Sequence, residues 1–411
     1  MTHLKGSIGR WQGVGLITTS LLGTSVFILP QVTVDIAASG ALWAWVLLVL
    51  VILPVALVFA ELGKRFANAG GPSHFVHRAF GRRLGTTVGV LFLFAAPVGT
   101  PAAIMMTFEF IQPLLNLDGG ALLAAQLAML GLLYLINIGG IQLSSVLQLG
   151  LTLAILAVVI ALAIGAPLPQ ASHLQPRVNT DVWSAFGIAL WAYLGVEVVS
   201  HLSEEFKRPR QDFVPAMVIA TLLVAAVYLV CTLMVLERPH DSTLAMVSLF
   251  NDRFGQGGEW VIGLLGTAAG FATVNTYLAS MSRLAWRLAQ DGQLPAGFGR
   301  LNRHRVPTFA LAMLLAVVAL SLSLAHGFGW QFEVLLEWVN GVFVMIYLCS
   351  MLAALKLLNG RFRLKALLGV GGCLLFAWSL GWGMLYGVAI FTAVWLLRRR
   401  SAVDCHSQAL S

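Results

Sequence analysis

Residues 18–31 read TTSLLGTSVFILPQ. The apolar run around them predicts a first membrane-spanning helix over 12–35, yet Gly23-Thr24-Ser25 stands in its middle and Pro30 follows. Glycine and small hydroxyl residues weaken a helix. Backbone groups freed at membrane depth are tolerated only where protein or a water-filled cavity covers them. A second disturbance lies at 190–205, LWAYLGVEVVSHLSEE, where Gly195 is followed two residues on by Glu197. Gly23 and Gly195 are 172 residues apart. Paired interruptions at corresponding points of two halves are the sequence pointer to the binding site of an inverted-repeat transporter.

Composition sets the class around these two stretches. Hydrophobic residues make up 59% of the 411, charged residues 10%, and mean hydropathy is +0.87. A soluble chain of this length needs far more polar surface, so the sequence is that of an integral, polytopic membrane protein. Runs long enough to span a bilayer recur at 12–35, 41–62, 86–112, 120–138, 141–165, 182–202, 213–236, 259–288, 306–326 and 331–355. The stretch 365–397 is interrupted at Ser379-Leu380-Gly381-Trp382-Gly383 and fits two short helices, which brings the expectation to about twelve. No soluble domain is left over.

Charge supports that topology. With the N-terminus inside, 22 of the 25 lysines and arginines fall in predicted cytoplasmic segments, and only Arg177, Arg238 and Arg253 fall outside. This bias favours an even number of spans with both termini cytoplasmic. It also accounts for the net charge of +8, so no nucleic-acid partner is needed. Cys231, Cys349, Cys373 and Cys405 are isolated and suggest neither a metal nor a disulfide framework. No cofactor is expected. Positions 1–10 show no cleavable signal pattern.

The chemistry expected at the breaks is specific. Amide N–H groups following a break, with the half-helix dipole, attract a carboxylate. Carbonyls preceding it accept from an ammonium, and the Thr24 and Ser25 hydroxyls add donors. Small residues also serve simply to pack helices closely; the recurrence beside a buried carboxylate favours a site. Glu197 admits two roles, carrying a proton or bracing the unwound segment by accepting backbone N–H bonds. Glu61, Glu204 and Glu205 stand beside basic residues at helix ends and read as ordinary ion pairs. Glu109, Glu333 and Glu337 lie in or near spans, and Pro97 with Pro101 predicts a kink in the third. Trp191, Tyr193 and Tyr277 are candidate aromatic walls, with packing as the alternative.

Four motifs together resemble the amino acid–polyamine–organocation (APC) superfamily: GTSVFILP at 23–30, AGGPSHFVHRAFG at 69–81, YLGVEVVSHLSEEFKRPRQDFVPAMV at 193–218 and SRLAWRLAQDGQLP at 282–295. They occur in family order and cover the chain from end to end. Within the superfamily the pattern, including PVGTPAA at 97–103, most resembles bacterial inner-membrane exporters of methionine and branched-chain amino acids. The resemblance implies an all-α LeuT-type fold with broken helices one and six. It places one five-helix repeat over 1–165, an inverted second over 166–355, and two terminal helices with a cytoplasmic tail over 356–411. It implies that Gly23, Thr24 and Ser25 bind the substrate α-carboxylate. The carbonyls of Leu21, Trp191 and Leu194 would take the ammonium around Gly195, with Trp191 as a gate and Tyr277 as a second aromatic. Ser25 departs from the pattern, since many members carry glycine there. No basic residue occurs at 141–165, where some relatives use a lysine in place of sodium, so proton coupling or exchange is favoured.

The function expected is secondary active export of neutral apolar amino acids (methionine, leucine, isoleucine, valine) from the cytoplasm. Uptake or antiport of the same fold is the alternative, because alternating access is reversible. Met105, Met106, Phe108 and Phe271 are the expected apolar lining. An enzyme would show His, Asp or metal-ligand clusters inside spans, and the histidines lie mainly in loops and ends. Expected partners are the amino acid, protons and the lipid bilayer, with a homodimer left open.

Overall fold

The structure is a computed structural model that describes residues 9–23, 25–66, 71–140, 145–166, 179–197, 206–237 and 244–408. Helices form nearly all of it, with no β-strand among the described residues. In hydrocarbon only a helix or a closed barrel satisfies every backbone group internally. The first half holds α1 (Arg10–Leu22), α2 (Leu29–Ala37), α3 (Ala41–Arg65), α4 (Pro72–Phe80), α5 (Arg82–Leu93), α6 (Ala96–Leu115), α7 (Gly119–Ile138) and α8 (Ser145–Ala163). After it come α9 (Thr180–Ala189), α10 (Val214–Leu236), α11 (Ala245–Phe254), α12 (Gly258–Gln290), α13 (Thr308–Phe328), α14 (Phe332–Leu357), α15 (Arg361–Leu380) and α16 (Met384–Gln408).

Eight helical stretches among the described residues are long and apolar enough to cross a membrane. The sequence leads one to expect about twelve. The difference falls where breaks shorten a helix, as in the 13-residue α1 and 10-residue α9. It also falls where two helices join through a tight turn, as α15 and α16 do at Gly381–Gly383. A polytopic membrane protein is what these helices make.

Both sequence disturbances are real breaks. Helix α1 stops at Leu22, Gly23 takes φ 44° and ψ −144°, and a 3₁₀ turn over Ser25–Phe27 precedes α2. Pro30 sits in the first turn of α2, where its missing N–H costs nothing. At the second break α9 gives way to a 3₁₀ turn over Leu190–Tyr193, Leu194 is extended, and Gly195 takes φ 116°. Positive φ of this kind is open to glycine and strained for other residues. Thr24, His201, Glu204 and Glu205 lie outside the described residues.

The kink expected from Pro97 and Pro101 is a full interruption. Helix α5 ends at Leu93 and α6 starts at Ala96 with Pro97 in its first turn. The motif at 69–81 forms the short helix α4 from Pro72, with residues 69–70 outside the described set.

Close helix crossings hold the bundle. Helix α12 packs along α6, α10 along α3, α1 along α10, and α14 on α15 and α16. At the crossing of α14 with α16, a Cβ on Gly387 would lie 2.8 Å from the Gly341 carbonyl oxygen, so only glycine allows the approach. Apolar side chains from nearly every helix fill one continuous core.

Candidate functional site

The two breaks face the same small cavity. A Cβ added to Gly195 would lie 3.7 Å from the Ser20 carbonyl oxygen and 3.9 Å from Leu21 Cδ2, so the end of α1 abuts the second break directly. The cavity measures about 130 Å³. Pockets for drug-sized ligands run to roughly 300–1,000 Å³, so this one suits a molecule no larger than a single amino acid.

Of the residues singled out from the sequence, Gly23, Leu194, Gly195, Glu197 and Tyr277 line this cavity. Ser25 does not. Its hydroxyl is buried, lies 2.6 Å from the Tyr228 hydroxyl of α10, and donates to the Leu22 carbonyl at 3.1 Å. Tyr228 in turn stacks on Trp45 of α3, with centroids 4.4 Å apart. Trp45 Nε1 donates to Thr33 Oγ1 of α2 at 3.1 Å. The chain beyond the first break is therefore tied to α10 and α3.

Trp191 and Leu21 are also set back from the cavity wall. The Trp191 ring packs beside Gly99 of α6, where an added Cβ would meet it at 3.7 Å. The Trp191 carbonyl accepts from Leu194 N at 3.1 Å. Met105, Met106, Phe108 and Phe271 belong to the apolar core or its edge and do not line the cavity.

The second break is held by one face of α14. Asn340 Nδ2 donates to the carbonyls of Gly187 and Ile188, at 2.9 and 3.2 Å, near the end of α9. Two turns further along, Tyr347 Oη donates to Glu197 Oε2 at 2.5 Å. The same carboxylate oxygen accepts from Gly195 N at 3.1 Å. Glu197 is fully buried and bridges the break to α14. The bracing role is thus built into the geometry.

The remaining wall comes from residues that carried no sequence signal at first sight: Thr19 and Ser20 of α1, Thr152 and Ile155 of α8, and Thr273, Thr276 and Ser280 of α12. A signal exists. Ala269, Ala272, Thr273, Thr276, Tyr277 and Ser280 recur at three- and four-residue steps, a small and hydroxyl-bearing face on one helix. Thr19, Ser20, Thr273 and Thr276 each donate their hydroxyl to the carbonyl four residues back, at 2.8–3.0 Å. Their protons are committed, so they offer the cavity lone pairs. Such a wall accepts from an ammonium.

A small cavity between two broken helices, within a bundle of membrane-crossing helices, is the arrangement of a membrane transporter of small solutes. The family model of amino acid permeases matches residues 8–398, and the chain belongs to that family. It is a transporter rather than an enzyme. It is 36% identical over 407 residues, 97% of each chain, to the L-methionine/branched-chain amino acid exporter YjeH of Escherichia coli. An uncharacterized amino acid permease of Bacillus subtilis, YecA, is 29% identical over 96% of this chain and 95% of its own. A cadaverine/lysine antiporter of Escherichia coli is 23% identical over 89% and 87%.

Proposed function

We propose that the protein exports neutral apolar amino acids, methionine and the branched-chain leucine, isoleucine and valine, across a bacterial inner membrane by proton-coupled alternating access. The observation that carries this is the cavity where Gly23 and Gly195 meet, lined by hydroxyl acceptors and closed by Glu197. A zwitterion matches it: carboxylate toward the freed N–H groups near Gly23, ammonium toward the carbonyls around Leu194 and the α12 hydroxyls. Ile155, Leu151, Phe92 and Met281 supply apolar wall for the side chain. Similarity to the exporter supports the substrate class.

In this account Leu21, Trp191 and Ser25 shape the site from behind, and Thr24 completes the carboxylate end. Trp191 gates from the α6 side. The architecture is the LeuT-type pair of inverted five-helix repeats, 1–165 and 166–355, followed by two helices, twelve in all with both termini cytoplasmic. Glu197 couples the cycle to protons. Protonation removes the charge from the carboxylate that Gly195 N–H and Tyr347 share as acceptor, which weakens both bonds and so loosens the second break.

Counterflow of labelled methionine or leucine into proteoliposomes, with and without a pH gradient, tests the proposal. Accumulation driven by internal unlabelled substrate and enhanced by the gradient is expected. Flux no greater than in empty liposomes for every amino acid tried would refute it.

A further inference from the structure

A second, larger cavity of about 1040 Å³ opens between α4, α5, α12 and the loop that precedes α13. Phe92, Ser280 and Met281 line both it and the substrate cavity, so the two adjoin with these side chains as the neck between them. The vestibule wall is predominantly basic. Arg283 and Arg287, one turn apart on α12, face it together with Arg305, and α4 adds His74 and His77. A lone carboxylate opposes them, Asp291, 3.6 Å from Arg287 Nε. Arg283, Arg287, Arg305 and His77 are exposed. Burial, then Arg78 and His77, lower the pKa of His74, so its ring adds polar surface to the wall rather than charge.

Topology explains why bases gather at one end of these helices. It does not require them to line an access path. A cleft with low-dielectric walls and one sign of charge focuses its field and changes the local concentration of charged solutes by roughly ten- to a thousandfold.

We propose that this vestibule is a charge filter. Its arginine wall draws carboxylate-bearing solutes to the Phe92–Met281 neck and holds back amines of net positive charge. The path therefore favours zwitterions over cationic amino acids and diamines before the substrate site is reached. The choice of substrates rests on the proposed function; the sign of the field does not.

The test places a reporter at the neck, Ser280→Cys, together with Cys405→Ser. The described cysteines Cys231, Cys349 and Cys373 are buried. Anionic sulfonatoethyl and cationic trimethylammonioethyl methanethiosulfonates are compared, each normalised to its rate with a free thiol. At low salt the anionic reagent is expected to be favoured about tenfold or more, with most of the preference lost near 1 M salt. Arg283→Gln, Arg287→Gln and Arg305→Gln combined should abolish it. Equal normalised rates, a cationic preference, or an anionic preference that survives the triple substitution overturns the filter. If the triple variant fails to accumulate, the salt dependence with the arginines in place decides.

Lysine inhibition of leucine counterflow gives the second arm. It should strengthen several-fold in the triple variant while methionine inhibition stays within about twofold, and unchanged lysine inhibition overturns the selectivity. Absence of all flux would defeat the proposed function alone, since the reagent ratio still reads the field.

Discussion

The hydroxyls of Ser25 and Tyr228 lie 2.6 Å apart, buried, and join the first helix break to α10 across 203 positions of sequence. Neither residue lines the cavity that Gly23 lines. Ser25 is therefore expected to position the break rather than to touch substrate. Ser25→Ala removes two buried hydrogen bonds, to Tyr228 and to the Leu22 carbonyl, a loss of about 1 kcal/mol in stability for each, and should change methionine affinity less than about threefold. A direct carboxylate ligand would cost tenfold or more. Tyr228→Phe should match Ser25→Ala in thermal unfolding, and binding by calorimetry on both variants separates the roles.

Gly195 holds a backbone conformation that strains any side chain. Its φ of 116° lies in glycine territory, and Gly195→Ala costs roughly 1–3 kcal/mol of backbone strain. The break should shift or close. Counterflow is expected to fall at least tenfold in protein that still elutes as a single species. Transport at the unaltered rate would show that this conformation is dispensable.

Glu197→Gln separates coupling from bracing. The amide keeps an oxygen to accept from Gly195 N and Tyr347 Oη, so exchange of substrate for substrate should survive while accumulation driven by a pH gradient is lost. Tyr347→Phe, by contrast, removes a donor 2.5 Å from the carboxylate and should slow both modes. Loss of exchange in Glu197→Gln would assign Glu197 a purely structural role.

The face of α12 is expected to set substrate size. Thr276 lines the cavity, and Thr276→Leu adds side-chain volume to a space of about 130 Å³. Transport of leucine and methionine should fall several-fold relative to alanine, because overpacking costs about 1–3 kcal/mol where the walls cannot yield. Competition curves for alanine, valine and methionine would show the change in rank.

Much of this was legible in the sequence. The breaks announced themselves because glycine beside small polar residues is costly at membrane depth, and Glu197 because a carboxylate there is costlier still. The long apolar helices and the tight turn at Gly381 followed from run length and interruption, whereas eight spans stand among the described residues where about twelve were expected. What stayed hidden depends on tertiary direction. Ser25 looks like a ligand along the chain, and only the packing of α10 turns it toward Tyr228. Met105, Met106, Phe108 and Phe271 are apolar enough for a lining, but the rotation of α6 and α12 places them in the core or at its edge. Asn340 and Tyr347 serve the second break from a helix about 150 positions away, a pairing that no local pattern encodes.

The central claim is that both breaks bind one substrate together. Equilibrium binding of labelled methionine to purified wild-type, Gly23→Ala and Gly195→Ala proteins tests it most directly. The account predicts saturable binding by the wild type and at least tenfold weaker binding, about 1.4 kcal/mol or more, in each variant while both remain folded. Wild-type affinity retained in either variant would contradict it.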